Sequence, residues 1–533
     1  MNWHSIAAGT VLLLLFAAGC RGEHPCARCD TIVIAATGEP ASVLPPLVVE
    51  TVGRDISDQV FERLADLAPG GAPIDPTAYR PRLADRWERV DSLTWRFHLR
   101  PGARWQDGQP VTPRDVAFSF EAYADSTLES PAAEELRGRL TATAQDSGTV
   151  LITFSKPYPE QLYDATWHVR IFPAHIWDGV PRDKWGADTS VSHLVGSGPY
   201  RVASWQRGQA LTLAADTTVG RRARLGHAVW RFAADPEAAL NLVLSGEADL
   251  MESVGSPERV QRVEQDSALR AVRYPSAAFG FLGYKVGRTG GVHPVLGDRA
   301  LRRALNQAVD RARIATAVFG PGAVAPPGPM SRLLWIWDDS IAVLPYDTAQ
   351  AARAFEAAGW VRGADGVRHK GSSRLAFEIL VPSTSTGRRR LAEALQEQWR
   401  LAGAAVTVTA VDFPVFQERL GQGKFDSYIG AWLDEPSPRV LTEQWSAEGI
   451  GGMNYGGYLN PALDRLFARA LSTPSSAEAR AQWRAALDTL NADAPALFLY
   501  TPVQVAAVSR RVDSLDIDPY SWLSGLPAVS LKP

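Results

Sequence analysis

The sequence predicts a multi-domain α/β protein, and three observations carry the prediction. At 533 residues the chain exceeds one ordinary hydrophobic core, so two or three domains are expected. Hydrophobic residues make up 46% and charged residues 21%, with 17 tryptophans, which is enough apolar area to offset the entropy of ordering the chain. From residue 298 to about residue 490 helical and strand patterns alternate, the signature of a largely parallel sheet wrapped by helices. A formal net charge of −3 is small for this length and argues against nucleic acid or an anionic membrane surface as partner.

The first 19 residues read as a targeting segment. Ile6 to Ala18 is almost wholly apolar, yet its length of about 20 Å falls short of a bilayer core of roughly 30 Å, so it fits a signal peptide better than a spanning helix. It closes on Phe16-Ala17-Ala18-Gly19-Cys20, which resembles a bacterial lipobox whose Cys20 carries the lipid; a plainly cleaved secretory signal is the alternative. Residues 20–30 then form a tether. Within it Cys26 and Cys29 read as an incidental disulfide or free thiols, since a zinc site needs about four ligands and only His24 is near.

Thr31 to Ala36 reads as a strand buried on both faces, Ile56 to Leu67 as a helix, and Leu93 to Arg100 as a half-exposed strand. Turn residues follow, and Thr112-Pro113-Arg114-Asp115 opens a helix with Thr as N-cap and a carboxylate in its first turn. Gly196-Ser197-Gly198-Pro199-Tyr200-Arg201-Val202 is a turn feeding a strand. Ala233 to Leu244 is helical in spacing. Asp298 caps a helix with apolar residues Leu301, Leu305, Val309 and Ile314; Asp347 caps another that stops at Gly359. Leu391–Leu401 and Val415–Leu420 read as helices; Ala405–Val411, Phe425–Trp432 and Ala496–Tyr500 read as strands.

Several of these segments carry a resemblance. Gly196 to Val202 with Ser204-Trp205, Asp85-Arg86-Trp87-Glu88, Thr94 to Arg100, Ala103 to Thr112, Asp115 to Phe120, Glu247 to Leu250 and Arg302 to Arg311 are similar, in order and spacing, to elements of the family 5 solute-binding proteins of ABC importers. The resemblance runs from about residue 31 to 511. It implies a two-lobed periplasmic-binding-protein-like α/β fold, type II, of the large peptide-binding class, with an extra subdomain in the first half. Its expected division is residues 31–57, 186–284 and 495–533 for the first lobe, 58–185 for the extra subdomain and 285–494 for the second lobe.

No catalytic constellation stands out. Gly196-Ser197-Gly198 is not a nucleophile elbow, and neither a zinc-protease helix motif nor a phosphate-binding glycine loop appears, so no enzyme activity, metal or cofactor is expected. His168 and His175 are seven residues apart without a carboxylate pattern, and His175 reads as a packing histidine. A binding protein needs instead an interlobe cleft with aromatic walls and a few fixed polar groups. The segment Phe425 to Pro438 supplies both, because its carboxylates emerge at the C-terminal end of a buried strand, where open α/β sheets place ligands. The resemblance makes Asp434 the first choice and Glu435 the second for a ligand's α-ammonium. Trp432 and Tyr428 are candidate walls or core, and Asn454 is a candidate that reaches the cleft.

The expectation is therefore an exported, lipid-anchored monomer that captures a peptide or another small amine-bearing solute and delivers it to an ABC permease. The alternatives are a ligand sensor or chaperone of the same fold, or, last, an exported hydrolase.

Overall fold

The computed structural model describes residues 29–287 and 291–532; Cys20, Cys26 and the targeting segment lie outside the described residues. Cys29 is disulfide-bonded. No helix among the described residues is long and apolar enough to cross a membrane.

Thr31–Thr37 is parallel to His227–Ala233 on one side and to Leu250–Met251 on the other. Antiparallel strands complete a seven-stranded sheet, which runs in the order Leu269–Pro275, Val503–Ser509, Leu250–Met251, Thr31–Thr37, His227–Ala233, Ala210–Ala215, Tyr200–Gln206. Both faces are covered, as the apolar run of the first strand predicts. Ile32 and Ile34 enter one core, while Val33 and Ala35 enter another beneath the helices Pro236–Leu244 and Pro257–Gln265.

The extra subdomain is a four-stranded antiparallel sheet built from Ala84–Arg89, Thr94–Leu99, Thr149–Phe154 and Leu140–Ala144. One continuous core joins it to the first lobe: Phe97, Val150, Tyr163 and Trp185 pack in the same cluster as Ile32, Leu211 and Trp230. The subdomain and the first lobe thus form one packed body.

The second lobe is a five-stranded sheet ordered Ala405–Val411, Ala376–Pro382, Ser427–Leu433, Ala278–Tyr284, Ala496–Tyr500. Ala278–Tyr284 runs antiparallel to both of its neighbours, and the other strands share one direction. This moves the expected boundaries. The strands ending at Tyr284 and Tyr500 belong to the second lobe, and the chain crosses at Ser276-Ala277 and Thr501-Pro502. The reason is pairing, because Ala278–Tyr284 finds its ladder partners in Ser427–Leu433 and Ala496–Tyr500.

Two helix boundaries also differ from the sequence reading. The helix expected over 56–67 is Thr51–Val60, since the Val60 carbonyl accepts the Gly198 amide at 2.8 Å and Ala65–Leu67 turns into a short strand. The helix opened by Asp298 ends at Gln307; a second, Arg311–Phe319, starts where the Asp310 carboxylate accepts from the Arg313 amide at 3.0 Å. The caps at Thr112 and Asp347 stand as read, with Asp115 closing back onto the Thr112 amide at 2.8 Å.

Two motifs singled out separately in the sequence meet in space. Gln106 donates to the carbonyls of Gly198 and Tyr200 at 3.0 and 2.7 Å, and its own carbonyl accepts the Gly196 amide at 2.9 Å. Both glycines are required by close approach: a Cβ on Gly196 would stand 1.8 Å from the Val60 carbonyl oxygen, and one on Gly198 would stand 2.4 Å from that of Gln59.

Candidate functional site

Strand Ser427–Leu433 aims alternate side chains at opposite faces of its sheet, and at its C-terminal end the chain enters the gap between the lobes. A cavity of about 630 Å³ lies there. The first body contributes Arg54, Trp167, His168, Arg170 and Gln504; Ser276 and Ala277 come from the first crossing; Leu433, Asp434 and Glu435 come from the second lobe. This volume and siting are those of a small-molecule cleft.

Asp434 is buried within the cleft wall. Its amide donates to the Ala277 carbonyl at 2.8 Å, which ties it to the crossing, and its Oδ2 accepts from the Ser331 amide of the same lobe. Oδ1 is buried with no hydrogen-bond partner among the described residues. Burial pushes the carboxyl up to about 7, and only the hydrogen bonds from Ser331 oppose it. Tyr520 Oη, on the first body's C-terminal segment, is another buried unpartnered polar atom lining this cavity; burial and then the charge of Asp434 raise its phenol.

The other sequence candidates divide. Glu435 also lines the cleft, but it is exposed and accepts a hydrogen bond from Tyr163 Oη at 3.3 Å. Trp432 and Tyr428 do not line the cavity. They lie on the opposite side of the strand from Leu433, where Trp432 stacks between Phe281 and Tyr455 with both centroid separations at 6.4 Å. Tyr428 packs edge-on to Phe281 and Phe425, and burial raises its phenol. They are core. Asn454 does not reach the cleft either: its side chain donates to the carbonyls of Ser446 and Tyr458 at 2.9 and 2.8 Å and accepts from the Tyr458 amide at 3.0 Å, which uses its polar groups inside its own loop.

Sequence reasoning missed Arg54, His168, Arg170, Glu252 and Tyr520 as cleft residues. One signal was readable, the Asp164–His168 spacing of four, with Asp164 in the helix Gln161–Thr166 and His168 just past its end. Oxygen and nitrogen atoms of Glu135, Asp164 and His168 lie within 4.8 Å of one another. A cation already stands there: the Arg439 guanidinium contacts Asp164 at 2.9 Å and Glu135 at 3.3 Å. His175 lies outside the cleft and pairs with Asp107 at 2.6 Å.

A second chamber of about 390 Å³ shares Arg63 and Trp167 with the cleft as a common wall. Arg63 Nε donates to the Trp167 carbonyl at 3.0 Å, and its guanidinium lies 5.5 Å from the indole centroid.

Comparison with known proteins places this geometry. The family model for bacterial extracellular solute-binding proteins, family 5, matches residues 78–451. The chain belongs to that family. Among curated family 5 relatives, protein XP55 of Streptomyces lividans is 26% identical over 91% of this chain and 86% of its own length. The probable D,D-dipeptide-binding periplasmic protein DdpA of Escherichia coli is 24% identical over 96% of each. Among solved structures, the ABC transporter substrate binding protein CtaP of Listeria monocytogenes superposes with a TM-score of 0.80 at 21% identity, covering 94% of this chain and 99% of its own. AppA of Bacillus subtilis, solved with a nonapeptide, gives 0.72 at 20% identity over the same shares. The two solved neighbours share the two-lobed fold of this chain.

Proposed function

We propose that this chain is the substrate-binding component of an ABC importer, and that it takes a peptide or a related small amine-bearing solute into the interlobe cleft, with Asp434 receiving the solute's ammonium. The family assignment and its peptide-binding relatives support the importer role. One observation carries the choice of residue: Asp434 lines the cleft and keeps a carboxylate oxygen without a hydrogen-bond partner among the described residues, whereas Glu435 already has Tyr163. An enclosed carboxylate penalises neutral ligands and so selects a cation. Closure of the lobes around the solute would present the closed form to a permease, and Cys20 would hold the protein at the membrane as its lipid anchor.

The test is calorimetric titration of the full chain with trialanine and with N-acetyltrialanine, beside mass spectrometry of solutes released from the purified native protein. Trialanine is expected to bind at least roughly tenfold more tightly, the usual cost of leaving a buried charge unpaired. Equal affinity for the two would remove Asp434 from this role, and binding of neither, with a non-amine solute released, would remove the substrate class.

A further inference from the structure

The stretch that carries Asp434 continues as Glu435-Pro436-Ser437-Pro438-Arg439, and each polar side chain in that continuation reaches across the cleft. Glu435 accepts from Tyr163 Oη at 3.3 Å. Ser437 Oγ donates to Glu160 Oε2 at 2.6 Å, with both residues buried. Arg439 forks onto Asp164 through both terminal nitrogens at 3.0 and 2.9 Å and also meets Glu135 at 3.3 Å. All four acceptors and donors on the far side, Glu135, Glu160, Tyr163 and Asp164, belong to the extra subdomain, which shares its core with the first lobe. Ala72 and Ile74 of that body also pack against a second-lobe core, which adds an apolar contact to the polar ones.

The far side also holds its carboxylates by contacts of its own. The Asp164 side chain is 0% exposed, held by Tyr158 Oη at 2.6 Å and flanked by His168 at 3.5 Å, while Arg139 pairs with Glu135 at 2.6 Å. Tyr158 brings no charge to offset Asp164, and this buried carboxylate calls for a fixed cation. Arg439 is the group that supplies one, in the bidentate geometry that guanidinium suits best. The prolines at 436 and 438 limit backbone freedom between Asp434 and Arg439, so the two ends of the stretch move together.

We propose that residues Asp434 to Arg439 form a combined receptor and clasp: the solute's cation sits on Asp434, and Glu435, Ser437 and Arg439 lock the second lobe onto Tyr163, Glu160 and the Asp164–Glu135 pair. The clasp rests on the two-lobed capture reading, but it can be tested without any solute. Its contacts form only when the lobes are shut. Arg439 is accordingly a positioning residue that sets how long a solute is retained without touching it.

The experiment compares small-angle X-ray scattering of the ligand-free full chain with that of Arg439→Met, Asp164→Asn and the double variant, each checked for folding by circular dichroism. Both single variants are expected to show a larger radius of gyration than the native chain, and the double variant no larger than either single one, since both break the same contact. Dissociation of trialanine is expected to accelerate by roughly tenfold or more in Arg439→Met. Scattering identical to the native chain, or expansion that adds up in the double variant, overturns the clasp. Should either variant fail to fold, Ser437→Ala, which removes one hydroxyl, is expected to expand the chain less but in the same direction, and an unchanged curve for it overturns the proposal. Failure of trialanine to bind the native chain would count against the peptide reading alone, because the scattering comparison is independent of it.

Discussion

Asp434 couples the site to pH. An acid raised on folding holds its proton more tightly folded than unfolded. Its contribution is therefore fully present below the ordinary carboxylate range and is lost as pH rises toward the folded value of about 7. Ligand-free protein should accordingly lose stability between about pH 4 and 7. Thermal denaturation across that range should show the slope, and Asp434→Asn should flatten part of it; Glu160, pushed up to about 7 mainly by burial, and Asp55, Glu62 and Glu252, also raised by burial, act in the same direction. Binding runs the other way. Affinity for an amine should rise toward pH 7 as Asp434 ionises and fall above about pH 8 as the α-amino group loses its proton. A titration series from pH 5 to 9 checks this, and a flat profile would count against the pairing. Asp434 was legible in the sequence because it follows a buried strand. Arg439 was not, because its partner Asp164 is separated by 275 positions and no local pattern announces so distant a contact.

At the scale of elements, capping chemistry carried most of the legible fold. Asp298 and Asp347 each accept from a first-turn amide of the helix they precede, so a short polar residue before an apolar period sufficed to place its start. What the pattern hid was docking. The helix Thr51–Val60 stops where two glycines press on its last carbonyls, a tertiary contact invisible to periodicity. Gly196→Ala should therefore cost more than about 2 kcal/mol, as overpacking against backbone does. Gly148→Ala is the control, for an added Cβ there meets nothing within 4 Å, and it should shift stability by no more than about 0.5 kcal/mol. Urea denaturation midpoints of the two variants measure the contrast. Trp432 and Tyr428 illustrate the same limit: an aromatic at a strand end faces either cleft or core, and the sheet's neighbours decide which.

For the whole molecule, the second lobe is one uninterrupted stretch, 278–500, with its own sheet and two cores, whereas the first body is assembled from segments on either side of it. Residues 278–500 expressed alone should fold and unfold cooperatively, as circular dichroism during thermal melting would report. A non-cooperative melt would mean that the second lobe depends on the first. The division of labour between the lobes has a kinetic side. Asp434 is bonded to the Ala277 crossing and to Ser331 of its own lobe, so these bonds hold it in place whether the lobes are open or shut. The contacts that differ between the two states sit on Arg439 and its neighbours. If Asp434 receives the solute as proposed, selectivity and residence time fall to different side chains: the preference for a cation follows the Asp434 carboxylate, and the time the lobes stay shut follows the guanidinium a few residues away, so one can change by substitution without the other.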